Sequence, residues 1–167
     1  MRPDVLYCSH SEMEAFHMID HAQRARELFL EGYNCAQAVA CAFCDVTGLD
    51  IGTAARLSSS FGGGLGRLRE VCGVVSGAAL VLAIVRGYSD PKDREAKKAH
   101  YALVQEFARR FREANGSIVC RELLAMSGIQ ASIGGEPEER TADFYKRRPC
   151  PELAACAAGI VEELLNA

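Results

Sequence analysis

Eight cysteines stand among the 167 residues, about 5% of the chain. A cysteine thiolate is both a nucleophile and a soft metal ligand, and its reactivity follows its pKa. Four of the eight share one kind of position. Cys35 follows Asn34, a good helix N-cap, and so opens a helix. Cys72 falls in the opening turn of an apolar helix, just after a glycine-rich segment. Cys120 lies three residues beyond the capping residue Ser117, and Cys150 stands directly before Pro151 at the start of the last helix. The positive end of a helix and its free amides favour a thiolate over a thiol, so this quartet is the candidate redox or metal site. Cys41, Cys44 and Cys156 fall inside helices and read as small buried apolar residues. Cys41-x-x-Cys44 has the spacing of a redox pair but sits mid-helix, away from the end that activates such thiols. Cys8 lies in a loose N-terminal segment, residues 1–10.

The elements that position the quartet read as helices throughout. All five prolines fall at boundaries, and none interrupts residues 4–90. A capping box, Ser11 answered by Glu14, opens a first helix that carries Ala15, Met18, Ala22, Ala25 and Phe29 on one stripe and stops at Gly32. The second helix runs from Asn34 to about Thr47, ending at Gly48, and Asp50 caps a short third that breaks at Gly62-Gly63-Gly64-Leu65-Gly66. The fourth, from about Leu68 to Arg86, is apolar enough for the centre of a bundle. Asp90-Pro91 starts a fifth, which buries Ala96, Ala99, Leu103, Val104, Phe107 and Phe111 and stops near Asn115-Gly116. Ser117 caps a sixth to Met126, residues 129–140 form a loop, and the last helix runs from Pro151 toward Leu165. No period-2 strand is visible. The expectation is an all-α fold, a compact single-domain bundle of six to seven helices around the apolar one.

Two glycine signals flank the second candidate cysteine. Gly73-x-x-x-Gly77 reads as a packing device that lets a neighbouring helix approach closely. Gly62, Gly63, Gly64 and Gly66, with Gly73, form the loop that would approach a cofactor. No strand precedes this loop and no Gly-Lys-Ser/Thr ending follows, so a nucleotide phosphate is not its expected ligand. The histidines add little: His17 and His21 are one turn apart but opposite the apolar stripe, which reads as a solvated surface, and His10 and His100 have no evident partner. No hydrolytic motif is present. An oxidoreductase or an electron carrier is therefore the only enzyme class in view.

Composition limits the remaining classes. Nineteen basic against twenty-two acidic residues, twelve Phe and Tyr and no Trp give no footprint for nucleic acid. The cysteine density is below that of a small secreted disulfide scaffold. The longest apolar run, Cys72 to Val85, is too short to span a membrane, and the N-terminus shows no secretory signal. A cytoplasmic setting is the expectation, and there cysteines serve as metal ligands or redox groups more often than as structural disulfides.

At these residues the chain resembles the bacterial and archaeal family of redox-active proteins named after its pattern, C-GCAxxG-C-C. The matching stretches are Gly32-Tyr-Asn-Cys35-Ala-Gln-Ala-Val, Phe61-Gly-Gly-Gly-Leu-Gly, Cys72-Gly-Val-Val-Ser-Gly77, Cys120-Arg-Glu-Leu-Leu and Cys150, covering about residues 20–165. Cys72 here precedes Gly73, and Val74 stands where a small alanine would be expected. The resemblance assigns the four family cysteines to Cys35, Cys72, Cys120 and Cys150, and implies a helical protein that is redox-active or binds a metal.

Three chemistries suit four such thiols. A 2Fe–2S iron–sulfur cluster would use all four thiolates, and its negative charge would be offset by four helix starts. A thiol–disulfide switch would cycle two or four of them without a cofactor. A zinc site is the third; the candidates stand thirty or more residues apart, without the local Cys-x-x-Cys pairs usual in structural zinc sites. The cluster is the first expectation, serving electron transfer or redox sensing with a redox partner protein that the sequence does not name. A homodimer, packed through the first helix, is the expected assembly.

Overall fold

The computed structural model describes residues 20–167. The Ser11–Glu14 capping box, the loose N-terminal segment, Cys8, His10 and His17 lie outside the described residues. Nine α-helices and a 3-10 turn form among those described: α1 (His21–Leu30), α2 (Cys35–Ala42), α3 (Cys44–Thr47), α4 (Ile51–Ser58), the 3-10 turn Ser59–Phe61, α5 (Gly73–Arg86), α6 (Arg94–Asn115), α7 (Cys120–Met126), α8 (Ala142–Arg147) and α9 (Cys150–Asn166). The all-α expectation holds, with more and shorter helices than the six to seven expected. Helices α1, α2, α5 and α9 pack on one another around a continuous core that includes Phe29, Val39, Phe43, Val74, Leu82, Phe107, Phe111 and Val161.

Local chemistry explains the elements that were foreseen. Asn34 caps α2 by accepting from the amides of Ala36 and Gln37, while the Gln37 side chain bonds back to the Asn34 amide. Asp50 caps α4 through the Thr53 amide. Gly48 and Gly128 take the left-handed conformation that ends a helix without a Cβ penalty.

Other boundaries differ from expectation, each for an identifiable reason. The second helix is broken at Phe43, so Cys44 opens α3 rather than lying mid-helix. The apolar helix starts at Gly73 rather than near Leu68. Residues 69–72 are instead tied to residues 118–121: Val71 forms an isolated antiparallel bridge with Val119, Cys72 N–H donates to the Ile118 carbonyl, and Cys120 N–H donates to that of Glu70. Its outer face is also open, with Ile84 exposed, so α5 is buried on one side only. The fifth helix is capped by Asp93, not Asp90; Asp90 instead accepts from the Lys92 amide in the preceding turn. Its stripe is buried only at Phe107 and Phe111. Ala99 is exposed, and the N-terminal half faces the ends of α5 and α9 across a groove lined by Ala96, Leu103 and Leu164. Ser117 bonds the Val119 amide in a tight turn, and α7 begins at Cys120 itself. Helix α8, capped by Thr141, falls where no helix was expected.

His21 corrects the surface reading of the histidines. It is buried, stacked on Phe43 at 4.2 Å between ring centroids, and hydrogen-bonded to Asp45 of α3 and Glu162 of α9. It joins three helices that are remote in sequence. Both carboxylates keep access to water, so they rehydrate when the imidazole is removed. His21→Ala should therefore lower the unfolding free energy by about 1–2 kcal/mol, read as a reduced denaturant midpoint at unchanged slope.

Candidate functional site

The bridge between residues 69–72 and 118–121 sets the starts of α5 and α7 side by side, and the starts of α2 and α9 meet them. Cys35 is the first residue of α2, Cys72 the N-cap of α5, Cys120 the first residue of α7 and Cys150 the first of α9. All four line one cavity of about 350 Å³. Cys72, Cys120 and Cys150 are buried and Cys35 is partly accessible; none is disulfide-bonded. Cys41, Cys44 and Cys156 lie away from this cavity.

The glycines divide by task. Gly62, Gly63 and Gly66 line the cavity. Gly64 and Gly73 stand behind the cysteines: a Cβ on Gly64 would come within 2.7 Å of the Cys120 Cβ, and one on Gly73 within 2.9 Å of the Cys35 Cβ. Gly77 lets the Ala36 carbonyl approach to within 2.6 Å of where its Cβ would be, the close helix approach read from the Gly73–Gly77 spacing. Between Gly63 and Arg69 the backbone turns left-handed six times, three of them at residues other than glycine: Leu65, Arg67 and Arg69. Such conformations persist only where the surroundings enforce them. Gly64→Ala combines a left-handed backbone with a collision against backbone atoms of Arg69 and Glu70 and should cost about 2–4 kcal/mol. Gly66→Ala has open space around it and should cost only about 1–2 kcal/mol, so the two denaturation midpoints separate crowding from backbone preference.

The electrostatics single out one thiol. The pKa of Cys35 is lowered to about 7: first by a hydrogen bond from the Cys150 thiol, then, against the opposing effect of burial, by the Arg140 guanidinium and the amides of Gly63 and Cys35 itself. The helix-start amides pull toward the thiolate at Cys35 and at Cys72, but at Cys35 they rank behind Cys150 and Arg140, and at Cys72 burial outweighs them. Cys72 is raised by burial and by the neighbouring charges of Cys35 and Cys120, although the Val74 and Val75 amides pull the other way. Cys120 is raised by burial despite the Arg69 side chain, whose Nη1 lies 4.0 Å from its sulfur. Cys150 is raised because its proton is held by Cys35 and because it is buried. Thiols that share a cavity cannot all ionise, and the first charge suppresses the rest. Outside the cavity, burial pushes Cys41 up to about 11 and also raises Cys44, so the Cys-x-x-Cys pair is not activated.

Sequence reasoning missed the basic side chains. Arg67, Arg69, Arg140 and Arg148 line the same cavity, with Glu138 as the acidic residue among them. Arg140 bonds the Phe29 and Tyr33 carbonyls and lies over the Phe29 ring. Arg69 stands three residues before Cys72 and Arg148 two before Cys150, and that adjacency was the available signal.

The family model described as "Putative redox-active protein (C_GCAxxG_C_C)" matches residues 33–164 and so spans all four cavity cysteines. No curated protein and no solved structure matches the chain.

Proposed function

The chain belongs to the C_GCAxxG_C_C family of redox-active proteins, and from that premise we propose that it works by thiol–disulfide exchange, with Cys35 and Cys150 as the active pair. The observation that carries this reading is that Cys35 and Cys150, each the first residue of its helix, line one cavity. Cys35 is the more accessible and the more acidic of the two, so it is the attacking thiolate. It displaces one thiolate from an external disulfide and forms a mixed disulfide. Cys150 then gives up its proton and attacks the Cys35 sulfur, releasing the second thiolate and leaving a Cys35–Cys150 disulfide. The protein loses two electrons, and the external disulfide gains them as two thiols. A thiol pKa near ambient pH suits the attacking group, because thiolate fraction and nucleophilicity oppose each other.

The metal-based expectations fit these residues less well. A cluster or zinc needs several deprotonated thiolates at bonding distance of one centre. Among the described residues no three His, Cys, Asp or Glu side chains are grouped to hold a metal ion. Anaerobic purification followed by metal analysis and thiol counting tests the choice. Loss of two titratable thiols with a mild disulfide oxidant, reversed by a dithiol reductant, is the expected result. A brown protein carrying about two iron atoms per chain would overturn it. No helix among the described residues is long and apolar enough to cross a membrane.

A further inference from the structure

The charges around the cavity are unbalanced. One carboxylate oxygen, Oε1 of Glu138, faces three guanidiniums: Arg148 directly, Arg69 at 3.7 Å and Arg67 at 3.8 Å. Arg67 is otherwise fixed by the Gly134 carbonyl and the Ser132 hydroxyl, and Arg69 by the Ser132 carbonyl through its Nε. The Arg69 side chain is 5% exposed, and its Nη2 has no hydrogen-bond partner among the described residues. A buried charged donor without an acceptor is costly, and the side chain that carries it lines a cavity large enough for a small organic molecule.

Resting on the thiol–disulfide reading, we propose that this cavity takes a small carboxylate-bearing molecule on Arg69, with Arg67 and Arg148 beside it, and that the substrate exchanged at Cys35 is an acidic low-molecular-weight disulfide. A carboxylate received there supplies the acceptor that Arg69 lacks and adds the negative charge that Glu138 alone does not provide. The balance of the reaction is unchanged: the small disulfide gains two electrons and leaves as two acidic thiols, and Cys35 and Cys150 are joined.

Alkylation with two reagents of similar size tests this on the whole reduced chain. Iodoacetate carries the carboxylate and iodoacetamide is its neutral counterpart; peptide mass spectrometry reads each cysteine separately. Cys44, outside the cavity and beside acidic Asp45 and Asp50, is the internal reference. At low ionic strength the iodoacetate-to-iodoacetamide rate ratio at Cys35 should exceed that at Cys44 by about tenfold or more. The iodoacetate rate at Cys35 should saturate, and malonate should suppress it. Arg69→Gln should lower the Cys35 ratio severalfold, Arg67, Arg140 and Arg148 remaining in the cavity. Equal ratios at the two cysteines, or no effect of malonate on the unsubstituted chain, would overturn the anion site whether or not the variant folds. Failure of the underlying redox reading looks different: Cys35 reacts with neither reagent while Cys44 reacts with both.

Discussion

Cys35→Ser should abolish reversible two-thiol oxidation altogether, whereas serine at Cys41, Cys44 or Cys156 should leave it intact. A hydroxyl at position 35 keeps the size of the thiol, but without an adjacent base it is not ionised near neutral pH. Cys150→Ser should behave differently again. The Cys35 thiolate still attacks, but nothing resolves the product, so a mixed disulfide with one external thiol per chain accumulates and is seen by intact mass. If Cys150→Ser cycled normally while Cys72→Ser or Cys120→Ser trapped the mixed disulfide, the partner of Cys35 would be misassigned. Loss of cycling in Cys41→Ser at unchanged stability would place the chemistry outside the cavity.

The second large effect concerns pH. The Cys150 thiol is the foremost influence holding Cys35 down, so Cys150→Ala should raise the Cys35 pKa from about 7 toward the ordinary value of 9.0. Alanine is needed, because a serine hydroxyl would still donate to the thiolate. In the unsubstituted chain, alkylation of Cys35 by iodoacetamide should rise with pH, reach half its maximum near pH 7 and level off above it. In Cys150→Ala the midpoint should move up by at least about one unit. The first such unit removes about fivefold of the thiolate at pH 7, because half of Cys35 is ionised there to begin with, and the more basic thiolate regains about threefold in nucleophilicity. The net rate at pH 7 should thus fall only about twofold for that unit, with the midpoint as the sharper readout. An unchanged midpoint would mean that Arg140 and the Gly63 amide, not Cys150, hold the thiolate.

The helix starts and the cavity were legible in the sequence to different degrees. Asn34, Asp50 and Gly48 announce local structure because a single side chain or a single left-handed residue decides a helix end. Asn34 placed Cys35 at a helix start, while Cys72, Cys120 and Cys150 were placed by the glycine-rich segment, Ser117 and Pro151. The short bridge between residues 69–72 and 118–121 was not legible: it spans too few residues to show periodicity, yet it makes Cys72 an N-cap and Cys120 a first residue. His21 looked like a surface residue because its partner Glu162 stands 141 positions away. The ionisation pattern also lay beyond sequence. A helix start argues for each thiolate singly, while the structure makes the four thiols compete within one buried space.

Disulfide mapping shows whether Cys35 and Cys150 form the redox couple. Anaerobically purified chain is oxidised with one equivalent of a small disulfide, its free thiols are capped in acid, and its digest is mapped by mass spectrometry. The expected product is a peptide pair linked through Cys35 and Cys150, lost on treatment with a dithiol reductant, with Cys41, Cys44 and Cys156 recovered as capped thiols. Recovery of both Cys35 and Cys150 as capped thiols while a different pair is linked would contradict it.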